Sequence, residues 1–161
     1  VFDHTVHLAD LMRWYLGSEV REVYAQTNKI FHKDQVDVET GGLVALTFEN
    51  GVFATIDCSW SRPDFWPTWG GLGFELVTDR GAVIVDAFKQ NITVYHPEVQ
   101  RPVWGFWGSN NDQAMIAEFI AAIHEGREPA VTGLDGLRAT EIALAAYASA
   151  ESGQPVVLEH A

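Results

Sequence analysis

Asp3, His7 and Asp10 lie four and then three residues apart, a spacing that puts side chains on one stripe of an α-helix. On that stripe the His7 imidazole is expected between two carboxylates. A neighbouring carboxylate stabilises imidazolium and fixes the ring tautomer, which suits a histidine that must accept a hydroxyl proton as the attached carbon loses hydride. The same spacing also fits a plain helix start, with Asp3 as cap and His7 as an ordinary partly buried residue. Spacing alone does not choose between the two.

The elements that must position these residues are readable from periodicity. Val6, Leu8, Leu11, Met12, Tyr15 and Leu16 follow a helical period from Asp3 to Leu16, and Gly17 is placed to end that helix in a left-handed conformation. Glu19–Phe31, Leu43–Phe48 and Val52–Trp60 read as strands rich in β-branched and aromatic residues. Asn50-Gly51 between the last two is a strong hairpin signal. Asp79-Arg80-Gly81 supplies turn chemistry for a second hairpin between Phe74–Thr78 and Ala82–Val85, and Asn91–His96 offers a further strand. After Pro97 and Pro102 the period becomes helical, with Ala114 to Ile123 closed by Gly126. A second helix, capped by Thr132 or Asp135, stops at Ser152-Gly153-Gln154-Pro155, and Val156–Leu158 is extended. The order predicts one α+β domain over residues 1–161, a predominantly antiparallel open sheet with helices packed on one face.

Composition narrows the partners. Ten basic against twenty-two acidic side chains leave a formal charge of −12, which repels phosphate backbones and anionic membrane surfaces, so neither nucleic acid nor a membrane is expected as a partner. The longest apolar stretches fall short of the ~20 residues a membrane span needs. Cys58 is the single cysteine, so no intrachain disulfide or thiolate cluster forms, and a cytoplasmic location is expected. In its apolar strand it reads as a small buried hydrophobe. Asp3, His4, His7, His32 and His96 have metal-ligand chemistry, but the three-residue spacing of His4 and His7 is common, and no metal is expected. No Gly-x-Gly-x-x-Gly occurs, so the chain carries no recognisable nucleotide-phosphate cradle.

Trp60, Phe65, Trp66, Trp69, Trp104, Phe106 and Trp107 cluster in two loop-like regions. Flat rings suit the apolar faces of sugars, and they suit burial in a subunit interface equally well.

Asp3-x-x-x-His7-x-x-Asp10 followed by Leu11-Met12-Arg13-Trp14-Tyr15-Leu16-Gly17 resembles the segment that opens the second domain of Gfo/Idh/MocA (glucose-fructose oxidoreductase/inositol dehydrogenase) enzymes. Glu75–Ala82 resembles that family's strand-turn-strand. Phe119–Ile123, Glu125–Pro129, Asp135-Gly136-Leu137, Glu141 and Ser152–Val156 resemble its C-terminal helices and closing strand. The resemblance implies the C-terminal, glyceraldehyde-3-phosphate-dehydrogenase-like domain of an NAD- or NADP-dependent oxidoreductase, without the N-terminal Rossmann domain that would hold the cofactor and contribute a lysine. It implies hydride transfer between nicotinamide and a secondary alcohol of a sugar, inositol or polyol. Asp3 and His7 match the family's catalytic aspartate and histidine, with His7 as base or proton relay and Asp3 as its orienter. His4 adds an imidazole beside the pair, and with Trp66 and Trp69 it is assigned to substrate contact. Thr5 stands where many members have glycine. A homodimer or homotetramer through the sheet face and an inactive isolated chain are also expected. The rival reading is a non-catalytic sugar- or nucleotide-binding regulatory protein of the same fold.

Overall fold

In the computed structural model of the chain, which describes residues 1–66, 71–88, 91–96, 98–106, 108 and 110–160, the helical period at the start becomes α1 (Phe2–Leu16). Gly17 ends it at φ 54°, the left-handed region where a side chain is disfavoured. Next come β1 (Val20–Asn28), β2 (Gly41–Phe48) and β3 (Phe53–Asp57), joined to one another as antiparallel neighbours. The Asn50-Gly51 turn forms as the dipeptide predicts. Gly51 adopts φ 87° and Asn50 Oδ1 accepts from the Val52 N–H.

The chain then forms β4 (Gly73–Thr78), β5 (Gly81–Asp86), β6 (Asn91–His96), β7 (Arg101–Phe106), α2 (Asn111–Glu125), α3 (Gly133–Ser152) and β8 (Val156–Val157). These elements gather into two compact units, residues 1–61 with 127–161, and residues 62–126.

The first unit is a four-stranded antiparallel sheet in the order β3-β2-β1-β8, with α1 and α3 on one face. Alternation along β2 sends Val44, Leu46 and Phe48 inward, all at 1% exposure or less, while Leu43 on the other side is 52% exposed. Val20, Val23, Ala25 and Ile56 meet them from neighbouring strands, and Ala9, Ile142, Ala145 and Ala146 close the core from the helices. Fully burying each large aliphatic or aromatic side chain contributes about 1.5–3 kcal/mol. This core therefore holds α1 in place.

β8 covers the outer edge of β1 only at Glu22 and Val23. Further along that strand Ser149 of α3 replaces the missing neighbour, its Oγ accepting from the buried Ala25 N–H at 2.9 Å. α3 itself begins in a capping box, where Thr132 Oγ1 accepts from the Asp135 N–H and the Asp135 carboxylate accepts from the Thr132 N–H.

The second unit holds two hairpins and α2. In β4–β5 the turn is closed by Thr78 Oγ1 donating to the Gly81 carbonyl, with Gly81 at φ 137°. In β6–β7 the second strand begins beyond Pro97, where the sequence alone suggests the chain has left the sheet. Pro102 pairs with Tyr95 in a two-stranded ribbon. Such a ribbon has open outer edges on which a residue without N–H is tolerated. α2 is capped by Asn110, whose Oδ1 accepts from the Gln113 N–H, and ends at Gly126, φ 66°.

Candidate functional site

Thr5, Ala9 and Arg13 are the buried residues of α1, four apart, so the opposite stripe carrying Asp3, His7 and Trp14 faces outward. Thr5, in the place of a glycine expected from the resemblance, is fully buried against the core. Asp3 and His7 are exposed side chains on neighbouring turns of a helix whose other face is locked into the core. Asp3 does not cap α1 but lies within its first turn.

The partners differ from the spacing argument. Asp3 Oδ2 lies 3.7 Å from His4 Nδ1, an ion-pair distance if the ring is protonated and longer than a hydrogen bond. Asp10 does not flank His7. It turns to Arg13, Nη1 to Oδ1 3.1 Å, because a guanidinium one helical turn away is a stronger partner for a carboxylate than an imidazole is. Among the described residues, no hydrogen bond or ion pair joins His7 to Asp3 or Asp10.

Arg13 anchors the far end of the helix. It is 8% exposed and forks onto both oxygens of Glu19, with Asp135 at 3.6 Å. The Glu19 bond raises the Arg13 pKa further against the opposing effect of burial, and the same bond holds the Glu19 carboxyl below its usual range. This joins the C-terminal end of α1, the entry to β1 and the start of α3.

Near the other end of α1, the Tyr147 hydroxyl donates to Glu39 Oε1 at 2.5 Å, and the Phe2 N–H lies 3.4 Å from Tyr147 Oη. No sequence signal marks these two residues, which stand 108 positions apart. Arg13 was readable in part, as a base three residues beyond Asp10.

Of the other assigned residues, Trp66 is half-buried in the second unit with the Arg62 guanidinium 4.4 Å above its ring, a cation–π contact. Trp69 lies outside the described residues. His32 Nε2 is 3.2 Å from the Trp60 carbonyl. Among the described residues no group of three or more His, Cys, Asp or Glu is arranged to hold a metal ion. Cys58 is buried, and desolvation pushes its thiol pKa up, against nucleophilic use.

The starts of α2 and α3 are taken by the chain's own oxygens, Asn110 at α2 and Thr132 with Asp135 at α3. Asp3, Asp112 and Asp135 also occupy the first turns. Open N–H groups at a helix start favour a pyrophosphate, and the capped starts of α2 and α3 do not offer them. No described helix is long and apolar enough to cross a membrane.

Fold and site together define an α+β domain whose outward-facing aspartate and histidine ride on a helix tied to the core sheet through Arg13. Residues 1–84 match the family model of the GFO/IDH/MocA C-terminal domain. Over 167 residues the chain is 30% identical to the uncharacterized oxidoreductase YrbE of Bacillus subtilis, a match covering 98% of this chain and 48% of that protein. It is 28% identical to myo-inositol 2-dehydrogenase of Thermotoga maritima, again over 98% of this chain and 48% of the relative. The crystal structure of GenD2 from gentamicin A biosynthesis, in complex with NAD, shares the fold at TM-score 0.81 and 24% identity, covering 98% of this chain and 47% of that one. The chain belongs to the GFO/IDH/MocA family of oxidoreductases, as its C-terminal domain. It spans about half the length of the curated relatives it matches.

Proposed function

We propose that this chain is the substrate-side half of an NAD- or NADP-dependent dehydrogenase that moves hydride between nicotinamide and a secondary alcohol of a sugar, inositol or related polyol. The observation that carries the reading is the placement of Asp3 and His7 on the outward stripe of α1, in a chain of this family. Myo-inositol 2-dehydrogenase among the relatives, and NAD in the GenD2 complex, support the substrate class and the cofactor.

The nicotinamide ring, when bound, supplies the hydride acceptor. Its phosphates are held by a dinucleotide-binding domain outside this chain, in keeping with the capped starts of α2 and α3. In this chain His7 takes the hydroxyl proton of the substrate, and Asp3 binds a neighbouring hydroxyl and orients the ring. His4, Trp66 and Trp69 contribute substrate contacts. The isolated chain is catalytically silent, and the protein works in the cytoplasm.

The open face of the sheet, with Leu43 52% and Phe53 81% exposed, forms the contact of a homodimer or homotetramer. An exposed apolar face of that kind is characteristic of association surfaces.

The test is an assay of the full-length protein with NAD and NADP against a panel of inositols, sugars and polyols. Reduction of either nicotinamide with one of these substrates supports the reading. Tight sugar binding without turnover on any of them would replace it with the regulatory-protein reading.

A further inference from the structure

Trp14 stands seven residues beyond His7 on α1. Seven residues are close to two full helical turns, about 10.5 Å along the axis, so the two side chains share the outward stripe. Trp14 is 73% exposed there, and the ring of Tyr15 lies beside it with centroids 4.8 Å apart. A tryptophan carries a large apolar area, and such a ring exposed among polar groups marks a contact surface. The polar groups are acidic. An open depression beside Trp14 is lined by Asp10, Leu16, Gly17, Glu19 and Glu49 among others. Arg13 pairs with Asp10 and Glu19, whereas the Glu49 carboxylate has no ion pair among the described residues.

The stripe itself points to the occupant. In the proposed reaction the substrate carbon at His7 exchanges hydride with a nicotinamide held by a dinucleotide-binding domain outside this chain. A domain that presents nicotinamide there must approach α1 from the side on which His7 stands, and Trp14 stands on the same side. The relatives also have the length for it, since more than half of each lies outside the matched part. The opposite side of α1 is closed to any such partner, because Thr5, Ala9 and Arg13 are buried against the chain's own core.

We infer that Trp14 is a docking point for the dinucleotide-binding domain of the same polypeptide: the indole enters an apolar pocket of that domain, and Glu49 meets a basic side chain at the pocket's rim. The inference rests on the proposed role of His7. Trp14 touches neither substrate nor cofactor. It acts by holding the domain that carries the nicotinamide at a fixed distance from His7, and misplacement of about 1 Å between reacting groups is enough to slow a reaction strongly.

The experiment uses the full-length protein with the photo-crosslinking residue benzoylphenylalanine in place of Trp14, irradiated and mapped by peptide mass spectrometry. The expected product is a crosslink within one chain, from position 14 to the dinucleotide-binding domain. A crosslink between two chains, seen as a doubled mass on a denaturing gel, would make a second copy the occupant and overturn the inference. Folded protein that forms no crosslink would overturn it too, since position 14 would then face solvent. Should that variant fail to fold, hydroxyl-radical labelling of the wild-type protein decides the question. Trp14 should react more slowly than Trp60, which is 39% exposed in this chain, and faster labelling of Trp14 would overturn the inference. Kinetics give a separate check. Trp14→Ala should lower kcat by about tenfold and raise the cofactor KM, Trp14→Phe should recover most of the loss because a ring again fills the pocket, and wild-type kinetics in a folded Trp14→Ala would count the docking out. Turnover separates this claim from the one beneath it. With no nicotinamide reduction on any polyol tested, the dehydrogenase reading fails whatever position 14 touches; with turnover and an uncovered Trp14, the docking alone fails.

Discussion

Arg13 holds Glu19 with a two-pronged contact, Nε to Oε2 at 2.6 Å and Nη2 to Oε1 at 2.7 Å, across the turn that separates α1 from β1. The fork matches carboxylate geometry in a way an ammonium does not. Its effect is to tie the helix that bears Asp3 and His7 to the first strand of the core sheet.

Removing that fork is expected to destabilise the first unit. Arg13→Ala removes the guanidinium that the carboxylates of Asp10, Glu19 and Asp135 share. Since Glu19 is about a third exposed, the cost is expected below that of a fully buried pair, at about 1–3 kcal/mol. Arg13→Lys should lose a smaller share. Urea denaturation midpoints check both, and an unchanged midpoint for Arg13→Ala would show that solvent compensates the loss.

Acid should weaken the same contact. The Glu19 carboxyl titrates below its ordinary value in the folded chain, chiefly through the Arg13 bond. The unfolded state therefore binds more protons in the acidic range, so stability rises with pH there. This contribution is complete above the ordinary glutamate pKa and is lost as pH falls through the lower folded value. Glu19→Gln should flatten the stability curve below the ordinary glutamate range. A curve that keeps the wild-type slope would move the acid sensitivity to another carboxylate.

Ser149 serves β1 where β8 stops. Ser149→Ala strands the buried Ala25 N–H and is expected to cost about 1–3 kcal/mol, read from thermal unfolding. A change well under this range would mean that the strand shifts to find another acceptor.

Loss of His7 should cut turnover of the full-length enzyme by about 10²-fold or more, the scale of a missing general base. The measurement is kcat for His7→Ala with saturating cofactor and substrate. Near-normal activity would remove His7 from the proton path.

Charge on the open sheet face should oppose self-association. Phe53→Glu is expected to turn an oligomer into a smaller species in light scattering, with little effect on the core because this side chain is 81% exposed. A wild-type protein that is already a monomer would remove this face as a subunit contact.

Much of the fold was legible in local chemistry. The helical period at Val6 to Leu16 and the glycines at 17, 126 and 153 mark helix ends that the structure places there, each of those glycines adopting positive φ. Asn50-Gly51 and Asp79-Arg80-Gly81 set two hairpins by backbone preference alone. β7 was not legible, because Pro102 reads as a strand breaker, yet it pairs with Tyr95 in a two-stranded ribbon, where such a residue is tolerated.

The stripe that joins Asp3 to His7 also follows from spacing, because i and i+4 share a helix face in any α-helix. Which partner each charged group takes does not follow from spacing. Asp10 looked toward His7 until Arg13, itself drawn inward by Glu19 and Asp135, claimed it. Glu39 and Tyr147, 108 positions apart, meet only because folding brings the segment before β2 and the third helix to the same place. The sequence by itself determined periods, turns and helix ends, which depend on neighbours within a few residues. The tertiary structure alone decided the ion pairs, the Glu39–Tyr147 bond and the Ser149 bond, because those energies exist only between groups that folding brings together.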